Sequence, residues 1–194
     1  MNILPLSIPG GFAITNTKHQ DSRGEFVEWF RSDKIEEQTG LAFKTIQANL
    51  SVSEKGSLRG VHYADVPPGQ AKYVVCVTGS ILDFVVDIRD GSPTFGKWEA
   101  VGLSAEERNG VLIDVGLGHA FVALEPMTTV AYLVTDHFKP ESEHAINPLD
   151  PKLGLSFPPN IGKLLVSPKD QGAPTLEEAR AAGALPKWSE GLGL

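Results

Sequence analysis

Short apolar runs rich in Val, Ile, Phe and Tyr are closed off by glycine or proline along almost the whole chain, and this punctuation constrains the fold more than any other feature. Proline has no N–H to give a ladder and glycine weakens one, so the runs read as strands and the breaks as turns. An all-β fold follows, and the number and length of the runs suggest a jelly-roll barrel with short peripheral helices. The runs Tyr73–Thr78 and Ile81–Arg89, split by Gly79 and Ser80, predict an antiparallel hairpin with a type II′ turn. Within the second run Leu82, Phe84, Val86 and Ile88 share one face, while Asp83, Val85, Asp87 and Arg89 make the other one polar. Further strands are expected over Phe43–Ser51, Gly110–Val115, Ala120–Leu124 and Thr128–Thr135. One short helix is expected from a Ser32 cap to Gly40, and another from Thr175, where Glu178 completes a capping box and Gly183 ends it. The Pro-rich stretch from Pro148 to Pro159 reads as an ordered crossing loop.

A length of 194 residues suits one domain spanning 1–194. Its jelly-roll core is expected over about 20–140, with a C-terminal segment of about 141–194 packed on it. The 41% hydrophobic and 21% charged fractions are those of a soluble globular chain. Net charge is −7 and the Lys and Arg residues are scattered, which argues against nucleic-acid binding through a basic surface. There is no charged segment leading into a sustained apolar one at the start, and no stretch near the roughly 20 apolar residues that span a bilayer, so a cytoplasmic protein without membrane contact is expected. Cys76, the only cysteine, lies in the apolar run YVVCV and reads as an inert buried thiol.

The five histidines, His19, His62, His119, His137 and His144, contain no His-x-His pair, so a closed zinc site is not expected. The segment SLRGVHYADVPPGQAKYV gathers Arg59, His62, Tyr63 and Lys72 around a Pro-Pro-Gly turn. Arg59 and His62 are three apart, which places them on opposite faces of a regular strand unless Gly60 introduces a bend or bulge. Taken by themselves, His62 reads as a hydrogen-bonded strand residue, Lys72 as a strand-end solubiliser, Tyr132 as a half-buried aromatic and Asp170 as a turn aspartate.

In order, the motifs DSRGEFVEWF, QANLSVSEKGSLRGVHY, QAKYVVCVTGSILDFVVDIRDGSPTFGKW, GLGHAF and SPKD resemble the dTDP-4-dehydrorhamnose 3,5-epimerase family over nearly the whole chain. The resemblance implies a cupin-type jelly roll, a homodimer, no metal and no organic cofactor. It also implies action on a dTDP-4-keto-6-deoxyhexose, with inversion next to the ketone. The family's base falls on His62, oriented by Asp170; its acid falls on Tyr132 and its enolate-stabilising lysine on Lys72. A carboxylate bonded to one imidazole nitrogen fixes the tautomer and leaves the other nitrogen free to take a proton. Substrate contacts are implied for Arg23, Arg59 and Lys169 near the diphosphate and for Glu28, Gln47, Asn49 and Glu143 near base and sugar. Phe26 is expected against the pyrimidine and His119 near the sugar.

Three positions depart from the family's common pattern. Phe138 stands where Tyr is frequent, which keeps a ring to pack on the thymine and removes a hydroxyl. GHAF replaces GHGF, so Ala120 is expected to narrow the space near His119, and Phe157 replaces a frequent Trp and is expected to shrink the aromatic wall. These departures suggest a specialised deoxysugar pathway. A 3,5-epimerase thus stands beside a 5-only or 3-only epimerase. A non-catalytic sugar-nucleotide binder and a ketoisomerase moving the keto group between C3 and C4 are the readings of other classes.

Overall fold

Fourteen strands and three short α-helices occupy the described part of the chain, residues 1–189 of a computed structural model. In chain order the strands are β1 Asn2–Pro5, β2 Gly11–Thr15, β3 Lys18–Asp21, β4 Gly24–Val27, β5 Gln47–Ser53, β6 Ser57–Ala64 and β7 Lys72–Thr78. They continue with β8 Ser80–Val86, β9 Trp98–Ser104, β10 Gly110–Ile113, β11 Gly118–Ala123, β12 Thr128–Val134, β13 Glu143–Ala145 and β14 Leu165–Val166. The helices are α1 Ser32–Thr39, α2 Pro168–Gln171 and α3 Leu176–Ala181. No helix among the described residues is long and apolar enough to cross a membrane.

Two sheets face each other as a jelly roll. One runs β1-β2-β10-β7-β12-β5; the other runs β13-β6-β11-β8-β9, with β14 added in parallel to β6. The expected hairpin of Tyr73–Thr78 and Ile81–Arg89 is therefore not a hairpin. β7 and β8 lie in different sheets, and Gly79, at φ +75°, turns a corner between them. Alternation and a Gly-led break are common to hairpins and sheet-to-sheet corners, so local sequence could not separate the two. The barrel also begins before residue 20, because β1 and β2 extend its first sheet. Residues 190–194 of the expected C-terminal segment lie outside the described residues.

The second sheet is covered on its outer face and the first in part. Ile35 of α1, with Leu41 and Phe43, packs on Tyr73, Val75 and Leu112 of the first sheet. Ile146, Leu153, Leu155, Ile161 and Leu176 of the C-terminal segment pack on Leu58, Val61, Phe84 and Val122 of the second. The Pro-rich crossing is thus an apolar lid over a sheet, which explains why it is ordered without a ladder. The capping box of α3 is present in full, and Gly40 closes α1 in the left-handed region at φ 78°. For α1 the N-cap is Arg31, and no side chain bonds the helix start, so Ser32 is its first residue and not its cap.

Between the sheets the interior is divided. Val74, Ile81, Val85, Val111, Phe121 and Val130 form an apolar cluster. Polar inward residues, Gln47, Asn49 and Ser51 of β5, Arg59 and His62 of β6, Tyr132 of β12 and Glu143 of β13, frame the candidate site at the other end.

Candidate active site

The site starts from an irregularity in β6. β11 pairs His119 with His62 and Phe121 with Arg59, so three residues of β11 stand opposite four of β6. This bulge lets Arg59 and His62, three apart, share one face. Leu58, Val61 and Tyr63 point the other way, into the outer core. Gly60 makes the close approach possible: a Cβ there would strike the His119 carbonyl oxygen and lie 2.6 Å from both Cα and Cβ of Ala120.

His62 is half-buried, and its Nε2 lies 2.8 Å from Oδ1 of Asp170, whose carboxylate is almost fully buried. Asp170 reaches it from α2, where Ser167 Oγ accepts the Asp170 N–H at 3.0 Å and fixes the short helix. Burial pushes the Asp170 carboxyl upward, but the His62 bond and charge, Ser167 and the Gly60 N–H together hold it below its ordinary value. Asp170 thus stays ionised and accepts from His62 Nε2–H, which leaves Nδ1 to take a proton.

Tyr132 faces the same interior from the opposite sheet, packed against the apolar cluster and paired in register with Val74 and Asn49. Burial raises its phenol, Glu143 raises it further, and Arg59 pulls it back in part, so the hydroxyl keeps its proton at neutral pH. Lys72 is buried at 7% exposure on the inward side of β7. Burial lowers its ammonium below the ordinary value, opposed by the negative charges of Glu143 and Asp83. Glu143 enters from β13, which pairs with β6 through Ala64 and places Ala145 opposite His62.

His119 Nε2 lies 2.7 Å from Oδ2 of Asp83, a carboxylate with no exposed surface. Gln47 and Asn49 project inward from β5 and bond each other at 2.7 Å, while the Gln47 Oε1 accepts the Phe138 N–H at 3.1 Å. Phe138 itself is exposed on the loop after β12, at the rim. Lys169, Asp170, Arg59 and His62 line one open cleft of about 420 Å³. His62, Asp170, Arg59 and Lys169 thus share a cleft, while Tyr132, Lys72, His119, Gln47, Asn49 and Glu143 come from strands paired around His62 and Tyr132, with Phe138 at the rim.

Three expected residues do not join it within the chain. Arg23 sits at the tip of the β3–β4 hairpin bonded to Asp21, Phe26 is 68% exposed, and Glu28 pairs with Arg31. Two expected effects on the cavity are also corrected. Ala120 points into the outer core beside Gly60 and does not narrow the space at His119, because alternate residues of a strand face opposite sides. Phe157 packs edge-on against Phe84 in that same outer core, at 5.6 Å between ring centres, and is no part of the site wall.

Asp83 was the residue that motif reasoning passed over. Its only signal was its place on the polar face of its strand. Of the other polar residues there, Asp87 and Arg89 form a buried ion pair at 2.7 Å, closed by Ser92 and Thr94 hydroxyls and by Trp188 over the guanidinium at 4.5 Å. That group is a structural clasp. Among the described residues no three His, Cys, Asp or Glu side chains gather where they could hold a metal ion.

A jelly roll whose interior carries a histidine–aspartate pair, a facing tyrosine and a buried lysine has the parts of a proton-transfer enzyme. The profile of the dTDP-4-dehydrorhamnose 3,5-epimerase family matches residues 5–178. A dTDP-4-dehydrorhamnose 3,5-epimerase of Mycolicibacterium smegmatis is 49% identical over 98% of this chain and 93% of its own length. The Mycobacterium tuberculosis rmlC epimerase superposes with a TM-score of 0.95 at 44% identity, covering 98% of this chain and 96% of its own. ChmJ, a 3'-monoepimerase from Streptomyces bikiniensis solved with dTDP-quinovose, gives 0.91 at 47% identity, covering 95% and 92%. The chain belongs to the dTDP-4-dehydrorhamnose 3,5-epimerase family and is a dTDP-sugar epimerase, an isomerase.

Proposed function

We propose that the protein epimerises a dTDP-4-keto-6-deoxyhexose next to its ketone, with His62 as base and Tyr132 as acid. The observation that carries this reading is that the two side chains enter one polar compartment from opposite sheets, and that His62 alone of the two is backed by a buried carboxylate. His62 Nδ1 removes the proton from the carbon beside the ketone, and the electron pair moves through the new C=C bond onto the ketone oxygen. Lys72 offsets the charge of this enolate in a water-poor interior, where such an interaction is strongest. Tyr132 then returns a proton to the carbon from the opposite face, which inverts it, and solvent exchange restores both groups. Arg59 and Lys169, on the open cleft, suit a diphosphate.

The number of centres inverted turns on reach. A likeness of 47% to a 3'-monoepimerase stands beside 49% to a 3,5-epimerase, so a mono-epimerase is the second reading. A binder without activity would need the arginine and lysine but not a carboxylate-backed histidine.

The same reading includes a homodimer. The outer face of the first sheet leaves Leu50 64%, Val52 46% and Val77 46% exposed, beside an apolar groove of about 260 Å³ that includes Trp29 and Ala131. A second copy seated there accounts for the stranded hairpin, since the partner's Arg23, Phe26 and Glu28 would complete the site from across the interface.

Proton NMR of dTDP-4-keto-6-deoxyglucose in deuterated water tests the whole reading. Label at C3 and C5 is expected for double inversion, label at one of them for the second reading, and no label sinks both.

A further inference from the structure

We propose that Asp83 is a positioning residue for the epimerisation, holding His119 toward the substrate and adding its negative charge to the interior that Lys72 enters from β7. The proposal rests on the epimerase reading above. Asp83 is fully buried on the inward face of β8, and its Oδ2 accepts from His119 Nε2 at 2.7 Å. Its Oδ1 is buried with no partner among the described residues. A buried carboxylate that leaves one oxygen unbonded is costly, because water would otherwise solvate it. Such a group persists where its charge is used.

Lys72 is where that charge acts. Of the groups around the ammonium, Glu143 on β13 and Asp83 on β8 are the two carboxylates that oppose the effect of burial on it. β10, which pairs with β7, brings no titratable side chain, and the other charged or titratable groups that share this interior are Arg59 and His62 on β6, His119 on β11 and Tyr132 on β12. Glu143 also raises Tyr132, whereas Asp83 does not act on that phenol. The two carboxylates thus divide: Glu143 serves acid and lysine, Asp83 serves histidine and lysine. Through Nε2, Asp83 also sets the His119 tautomer, leaving Nδ1 as the nitrogen that can meet the substrate.

The sign of the charge effect is fixed. Lys72 works as a cation, so activity falls as pH rises through its titration. Removing the Asp83 charge takes away a contribution that keeps Lys72 protonated, and the alkaline limb moves to lower pH.

Asp83→Asn keeps the shape and removes the charge. Expected are a kcat lower by about 10–100-fold, an alkaline limb of the kcat profile displaced to lower pH, and unchanged affinity for dTDP. A loss of kcat with the limb unmoved assigns Asp83 a merely structural part and overturns the proposal, as does unchanged kcat. If the variant does not fold, the wild type still decides: ¹⁵N NMR is expected to find the proton of a neutral His119 on Nε2, and finding it on Nδ1 overturns the proposal. A wild type that places no deuterium on the sugar fails the epimerase reading itself and takes this inference with it; normal labelling with an unmoved limb fails this inference alone.

Discussion

Gly60→Ala is the sharpest test of how the fold makes the site, because the bulge that brings Arg59 and His62 to one face depends on a residue without a side chain. Gly60 has φ +118°, a conformation in which an L side chain is strained by roughly 1–3 kcal/mol. The added methyl would also meet the His119 carbonyl and lie 2.6 Å from the Ala120 Cα, and forcing such an overlap costs roughly another 1–3 kcal/mol. For a domain of this size each kcal/mol lowers Tm by about 2–4 °C, so a drop of roughly 5–20 °C is expected by calorimetry. Relief of the clash pushes β11 from β6 at the His119–His62 pair, and a misplacement of about 1 Å can cost about 10²-fold in kcat. Adding Ala120→Gly removes the Cβ contact and leaves the backbone ones, so the double variant should regain less than half of the lost Tm. A Gly60→Ala protein within about 2 °C of wild type, with normal kcat, would refute the argument that the bulge is held by backbone contact.

Tyr132→Phe is expected to lose net inversion while deuterium exchange at the sugar persists, because removal of the proton by His62 survives loss of the donor; equal loss of both activities speaks against the assignment. His62→Ala is expected to lower kcat by about 10²–10⁴-fold with dTDP affinity kept, measured by steady-state kinetics and calorimetric titration. Asp114 is buried at 4% exposure and burial pushes its carboxyl up from 3.8 to about 6, so the stability tied to its protonated form is complete below pH 3.8 and lost as pH rises through about 6. Asp114→Asn should therefore gain about 2–3 kcal/mol at pH 7.5 and nothing near pH 3.5, read as Tm against pH; a gain independent of pH would contradict it. Leu50→Asp should give monomers by sedimentation, and mixing inactive Arg23→Ala and His62→Ala chains should restore about a quarter of wild-type activity, since one site in each mixed dimer is then whole.

Much of this was legible in the chain, and what was not has a common cause. Alternation located β8, β10, β11 and β12 to within a few residues, and the capping box and Gly40 marked α3 and α1, because these signals are local. Strand pairing is not local, so the Gly79 corner looked like a hairpin. The same limit governs the site. Alternation says which residues share a face but not what that face meets, and much of this jelly roll is buried on both faces. Ala120 was expected at the cavity and lies in the outer core for that reason, and Phe157, expected in the same wall, is carried onto the outer face of the second sheet by the C-terminal crossing. Asp83 and Asp87 show the limit most clearly, since they are four residues apart on one face and equally buried. The Asp87 oxygens are taken by Arg89, Ser92 and Thr94, whereas one Asp83 oxygen has no partner. Satisfied valence marks a clasp that holds the fold, and unsatisfied valence beside a buried lysine marks a group kept for charge. That difference is in the partners, which only the folded chain assembles.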